Sequence, residues 1–137
     1  MTRYFADTSF YLASLSSRDA LHEQALHWGR VSACSHLTTE CVLWELGSAL
    51  SVGNDRLLFV SFVTALRQDA ETTIIAADTA IMDRAIELFK RRPDKEWSLV
   101  DCASFVVMSD KGLIGALTGD HHFEQAGFRA LLRSEPP

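Results

Sequence analysis

Thr72-Thr73-Ile74-Ile75-Ala76-Ala77-Asp78-Thr79 is the stretch from which the fold can be read. Four of its first five residues are β-branched, so 72–76 reads as a short buried strand. Asp78 then stands where a helix N-cap belongs, and the segment that follows runs to Arg92 before Pro93, which cannot continue a helix. Working outward, the same strand-then-helix alternation recurs. Tyr4-Phe5-Ala6 reads as a strand ending at Asp7, and Asp19 as the cap of a helix reaching about residue 31. A brief strand is expected near 35–37, a helix over 39–51, a turn at Gly53-Asn54 and an apolar helix over 57–67. Beyond Pro93, a helix over 99–109 stops before Lys111-Gly112. A strand over 113–117, a helical turn over 120–126 and a last strand over 128–132 complete the series. Strands separated by helices predict an α/β fold, a central parallel sheet covered by helices on both faces. One domain is expected over 1–133, with a loose tail over 134–137.

Composition narrows the function classes. With 137 residues and 47% hydrophobic content, the chain can bury one sizeable core. Thirteen Lys and Arg against 18 Asp and Glu leave a formal charge of −5, which excludes a basic nucleic-acid-coating protein. No apolar run approaches the ~18 residues of a membrane span, and Asp7 comes too early for a secretory apolar segment, so a cytoplasmic protein is expected. Cys34, Cys41 and Cys102 form no C-x-x-C pair and sit among apolar neighbours, so they read as small buried hydrophobes.

Four acids carry the chemistry. Asp7 and Asp120 follow predicted strands, and ligands of open parallel sheets bind beyond the strand carboxyl ends. Each also has a purely local reading, as the cap of the turn that follows it. Glu45 shares an i, i+3, i+4, i+7 stripe with Val42, Leu46 and Ala49, which sets a carboxylate on or beside an inward face. Asp101 repeats this with Ser104, Phe105 and Met108, although Ser98-Leu99-Val100-Asp101 is also an ordinary capping box. A buried carboxylate must be neutralised, paired or metal-bound. Glu45 therefore reads as half of an ion pair with an arginine or as a site acid. If the four converge, repulsion forbids all of them staying ionised without a cation, and hard oxygen donors suit Mg²⁺ or Mn²⁺.

In this order the residues resemble the PIN-domain nucleases, and among them the VapC-type toxins of toxin–antitoxin pairs. Phe5-Ala6-Asp7-Thr8-Ser9-Phe10 resembles the first motif, Thr38-Thr39 with Val42-Leu43-Trp44-Glu45-Leu46 the second, and Ser98-Leu99-Val100-Asp101-Cys102-Ala103-Ser104 the third. Leu117-Thr118-Gly119-Asp120-His121-His122-Phe123 resembles the fourth, T-x-D-x-x-F. The resemblance implies an endoribonuclease with Asp7, Glu45, Asp101 and Asp120 around one or two Mg²⁺ or Mn²⁺ ions. It implies that Thr118 orients an acid through its hydroxyl and that Glu45 acts through a bound water. It also implies an RNA substrate, an antitoxin partner and a homodimer. One position departs from the pattern: many relatives carry a further carboxylate where this chain has His122. A packing or surface role and contact with RNA phosphate are the two readings of that histidine.

Two segments stand outside the acid set. Arg84, Lys90, Arg91, Arg92 and Lys95 form a basic span that either grips phosphate or complements a helix end. The segment 55–66 is apolar nearly all round, which suits a core helix or a partner surface, with an exposed phenylalanine as the sign of the latter. Two competing functions remain. A haloacid-dehalogenase-like phosphatase also places an acid after its first strand, and 119–124 superficially fits its later signature. Ser9, however, stands where such enzymes need a second aspartate. The other alternative is a PIN scaffold that binds RNA or protein without cutting.

Overall fold

The alternation is realised as an all-parallel sheet of five strands with seven α-helices around it, in a computed structural model that describes residues 1–31 and 33–134. Of the expected tail, 135–137 lie outside the described residues. In chain order the elements are β1 (Thr2–Ala6), α1 (Thr8–Leu15), α2 (His22–Gly29), β2 (Cys34–Thr39), α3 (Glu40–Ala49) and α4 (Asp55–Gln68). They continue with β3 (Thr72–Ile75), α5 (Thr79–Arg91), α6 (Leu99–Lys111), β4 (Gly115–Leu117), α7 (His121–Gln125) and β5 (Arg129–Ala130). A 3₁₀ turn over Leu131–Arg133 follows.

Cap chemistry explains most of these boundaries. Thr39 accepts from the Val42 N–H to start α3, and Asp78 accepts from the Ile81 N–H to start α5. Ser98 and Asp101 form a reciprocal capping box on α6, and Gly112 closes that helix in the left-handed region at φ 66°. Three boundaries differ from the sequence reading. Helix α1 was not expected, because Phe10, Tyr11, Leu12, Ala13 and Leu15 leave it no polar stripe from which to read a period. Asp19 does not cap α2; its carboxylate accepts from the Leu21 N–H at 2.9 Å inside a turn, and the helix starts at His22. The last strand shrinks to Arg129–Ala130, because the chain coils into the 3₁₀ turn directly afterwards.

The strand order is β3-β2-β1-β4-β5. The chain steps from β1 through β2 to β3 and then crosses back to β4, on the other side of β1. Strands β1 and β4 are therefore neighbours whose onward connections leave in opposite directions. Such a switch point opens a crevice beyond the strand carboxyl ends. Phe5 pairs with Ala116 and Ala6 with Leu117, so the next residues, Asp7 and Thr118, emerge side by side at that crevice.

The floor beneath it is aromatic and rigid. Phe123 of α7 is fully buried against Phe5 of β1 and meets Phe105 of α6 edge-on at 5.0 Å, while Trp97 meets Phe105 edge-on at 5.1 Å. These contacts lock the starts of α6 and α7 to the sheet. Helix α4 packs differently from its all-round apolar sequence. Phe59, Phe62 and Val63 lie half-buried against the core, while Leu57, Leu58 and Val60 are exposed. The exposed large apolar side chains of α4 are thus aliphatic, and neither phenylalanine is among them. No described helix is long and apolar enough to cross a membrane.

Candidate active site

Asp7 directly follows β1 with only 4% of its surface exposed. Its side chain caps nothing: α1 starts there without a side-chain cap bond, so the local reading of Asp7 does not hold. Two hydroxyls point at its carboxylate instead. Thr118 Oγ1 donates to Asp7 Oδ2 at 2.8 Å and Ser9 Oγ donates to the same oxygen at 3.0 Å. Each hydroxyl has a single hydrogen, and each also accepts from a backbone N–H, Ser9 from Gly119 at 3.2 Å and Thr118 from Asp120 at 3.0 Å. The two hydroxyls also lie 2.9 Å from each other, so with the backbone donors on their lone pairs their two hydrogens are shared between Asp7 and one another. A Cβ at Gly119 would meet a terminal methyl of Leu21, which would have to swing aside.

Asp101 enters from the first turn of α6 and is likewise buried. Its Oδ2 accepts from the Ser98 N–H at 3.0 Å and lies 3.0 Å from Nδ1 of His122. Asp120 caps α7, its Oδ1 accepting from the His122 N–H at 2.9 Å, and His122 Nδ1 is 3.4 Å from that same oxygen. Both local capping readings thus hold for Asp101 and Asp120, and both residues also face a common histidine. Glu45 stands apart. It is half-buried on α3 and makes no hydrogen bond or ion pair among the described residues, and no contact ties it to the other acids. Its stripe is only partly inward, with Val42 and Leu46 buried and Ala49 exposed.

Electrostatics follow from this packing. Burial pushes the Asp7 carboxyl up to about 6; hydrogen bonds from Thr118, the Thr8 backbone and Ser9 pull it back, and the neighbouring Asp101 charge pushes it further up. No lysine or arginine forms an ion pair with Asp7, Glu45, Asp101 or Asp120 among the described residues. Asp7 feels the Asp101 charge, Asp101 and Asp120 share His122, and no lysine or arginine balances the three, so their carboxylate oxygens are donors of the kind that a hard divalent cation takes. Asp120, His121 and His122 also bring one potential ligand atom each within 4.8 Å of one another, although His121 is exposed. The carboxylate set is the better match to Mg²⁺, which prefers oxygen to imidazole.

Two members of this network were missed by the sequence reading. Ser9 sits two residues after Asp7, the spacing at which a hydroxyl folds back on a carboxylate, and that was its available signal. His122 was weighed as a packing residue or a phosphate contact, whereas its ring is on Asp101. The signal there was its place at the second residue of a helix capped by Asp120. Two of the five residues of the basic span are paired with acids. Arg84 bonds Asp110 through both guanidinium nitrogens, and Arg92 bonds Asp94 while lying 5.0 Å over the Trp97 ring. Cys34, Cys41 and Cys102 are free thiols, and burial pushes Cys34 and Cys102 away from thiolate chemistry.

No family model matches the chain. It is 30% identical over 124 residues to the 23S rRNA-specific endonuclease VapC20 of Mycobacterium tuberculosis, in strains CDC 1551 / Oshkosh and ATCC 25618 / H37Rv. That similarity spans 90% of this chain and 94% of the relative. Among solved structures it superposes on the crystal structure of M. tuberculosis VapC20, described as a sarcin–ricin-loop-cleaving toxin, with a TM-score of 0.85 at 28% identity. The superposition covers 93% of this chain and 98% of that one.

Proposed function

The chain belongs to the VapC-type PIN nucleases, and on that premise we propose that it is an endoribonuclease that needs Mg²⁺ or Mn²⁺. The observation that carries the metal requirement is that Asp7, pushed up to about 6 by burial, also feels the Asp101 charge, while Asp101 and Asp120 share His122 and no lysine or arginine pairs with any of the three among the described residues. These three would hold the ion, with Glu45 joining from α3 through a bound water. The ion, when bound, supplies a water of lowered pKa and positive charge beside the phosphate oxygens. Ser9 and Thr118 fix the rotamer of Asp7 by donating to one of its oxygens. The aromatic floor of Phe5, Phe105 and Phe123 keeps the starts of α6 and α7 from shifting when a polyanion approaches. A chain of net charge −5 repels RNA at long range, so the cation also reconciles the site with its substrate.

The VapC20 relatives act on 23S rRNA, and a ribosomal RNA loop is accordingly the first substrate to try. An antitoxin partner and a homodimer belong to the same reading. Trp44, 78% exposed on α3, and the exposed Leu57 and Val60 on α4 provide apolar surface for such contacts. Purified ribosomal RNA incubated with the protein and Mg²⁺ is expected to yield discrete fragments, with no turnover of a small phosphomonoester. Intact RNA together with phosphomonoester hydrolysis would favour the phosphatase alternative, and neither activity would favour the non-cutting scaffold.

A further inference from the structure

His122 is the one described side chain whose ring reaches the carboxylates of both Asp101 and Asp120. An ionised carboxylate only accepts, so the 3.0 Å contact makes Nδ1 the donor to Asp101 Oδ2. The backbone N–H of the same residue donates to Asp120 Oδ1 at 2.9 Å. One residue therefore ties the first turn of α6 to the turn after β4. The tie is one-sided in a useful way. All of these bonds fall on Oδ2 of Asp101 and Oδ1 of Asp120, and the remaining oxygen of each has no hydrogen bond among the described residues. With its side chain 19% exposed, His122 is packed enough to hold this position.

We propose that His122 is a positioning residue that fixes the Asp101 carboxylate relative to Asp120 and thereby sets how tightly the acid cluster binds a divalent cation. The inference rests on the acids being a metal centre. It assigns the histidine no contact with the ion. Partners that orient ligating groups typically change metal affinity 10- to 100-fold when removed. Amide side chains separate a positioning role from direct ligation. Asparagine places its amide nitrogen as far along the side chain as Nδ1, whereas glutamine reaches as far as Nε2.

The test is titration of the purified protein with Mn²⁺ alone, reading free Mn²⁺ by its electron paramagnetic resonance signal, with circular dichroism to verify folding. His122→Ala is expected to weaken Mn²⁺ binding by about tenfold or more, and His122→Asn to return it to within about threefold of wild type. His122→Gln is expected to behave like the alanine variant. Should His122→Ala fail to fold, the asparagine and glutamine pair decides by itself. Unchanged affinity in the alanine variant, or rescue by glutamine and not asparagine, would overturn the positioning role. A wild-type protein that binds no Mn²⁺ would instead sink the metal reading, and this inference with it.

Discussion

Asp7 lies almost entirely out of solvent, held by two hydroxyls and a backbone contact, with no cation among the described residues to balance it. Its raised carboxyl makes stability depend on pH with a definite sign. Between about pH 4 and 6 the folded chain keeps a proton on Asp7 that the unfolded chain has released. Metal-free stability attributable to this group therefore falls as pH rises through that window and levels off above it. Asp7→Asn removes the term while leaving an oxygen for Ser9 and Thr118 to bond. In urea denaturation without divalent ions, the variant is expected to exceed wild type by up to ~3 kcal/mol at pH 7.5, with the difference gone near pH 4. Added Mg²⁺ should stabilise wild type and not the variant. Equal stability at both pH values would show that Asp7 is not strained by its burial. Thr118→Val tests the neighbouring hydroxyl. It strips a donor from Asp7 and an acceptor from the Asp120 N–H at nearly constant volume, and thermal denaturation should report a loss of ~1–3 kcal/mol.

Helices α6 and α7 are where local and site roles overlap. The Ser98–Asp101 capping box serves α6 and orients Asp101 at the same time. Ser98→Ala should cost ~1 kcal/mol of stability, the usual value of a lost cap. RNA cleavage should change little, because the Ser98 hydroxyl bonds the Asp101 backbone N–H while the carboxylate keeps both of its own bonds, to the Ser98 N–H and to His122. Phe123→Ala, which empties a fully buried position beneath α7, should cost ~3–5 kcal/mol by denaturant unfolding. The parts of the fold legible in sequence were those with their own local signal. The β-branched run at 72–76, the caps at Asp78 and Ser98, and the stop at Gly112 each announce an element without help from the rest of the chain. Helix α1 was illegible because it is buried on several sides, so its sequence has no period. Asp19 misled because an Asx turn and an N-cap use the same side chain for the same kind of bond.

At the scale of the whole molecule, the deciding fact is topological. Asp7 and Asp120 are more than a hundred residues apart, yet the order β3-β2-β1-β4-β5 sets the ends of β1 and β4 side by side at the switch point. The positions of those two acids beyond strand ends could be read from sequence, whereas the histidine linking Asp120 to Asp101 could not. That contact depends on how α6 crosses the sheet, which no local pattern encodes. Glu45 shows the converse. Its helical stripe was legible, but the protein geometry alone does not bring it into contact with the others. The claim on which the functional account depends is that these acids work through a shared divalent ion. It is tested most directly by following cleavage of ribosomal RNA by EDTA-treated protein, before and after Mg²⁺ or Mn²⁺ is restored, with Asp7→Asn as control. The account predicts no cutting after EDTA, recovery on adding either ion, and loss by orders of magnitude in the variant under all conditions. Cutting by wild type that persists undiminished in EDTA, with the variant inactive, would contradict it.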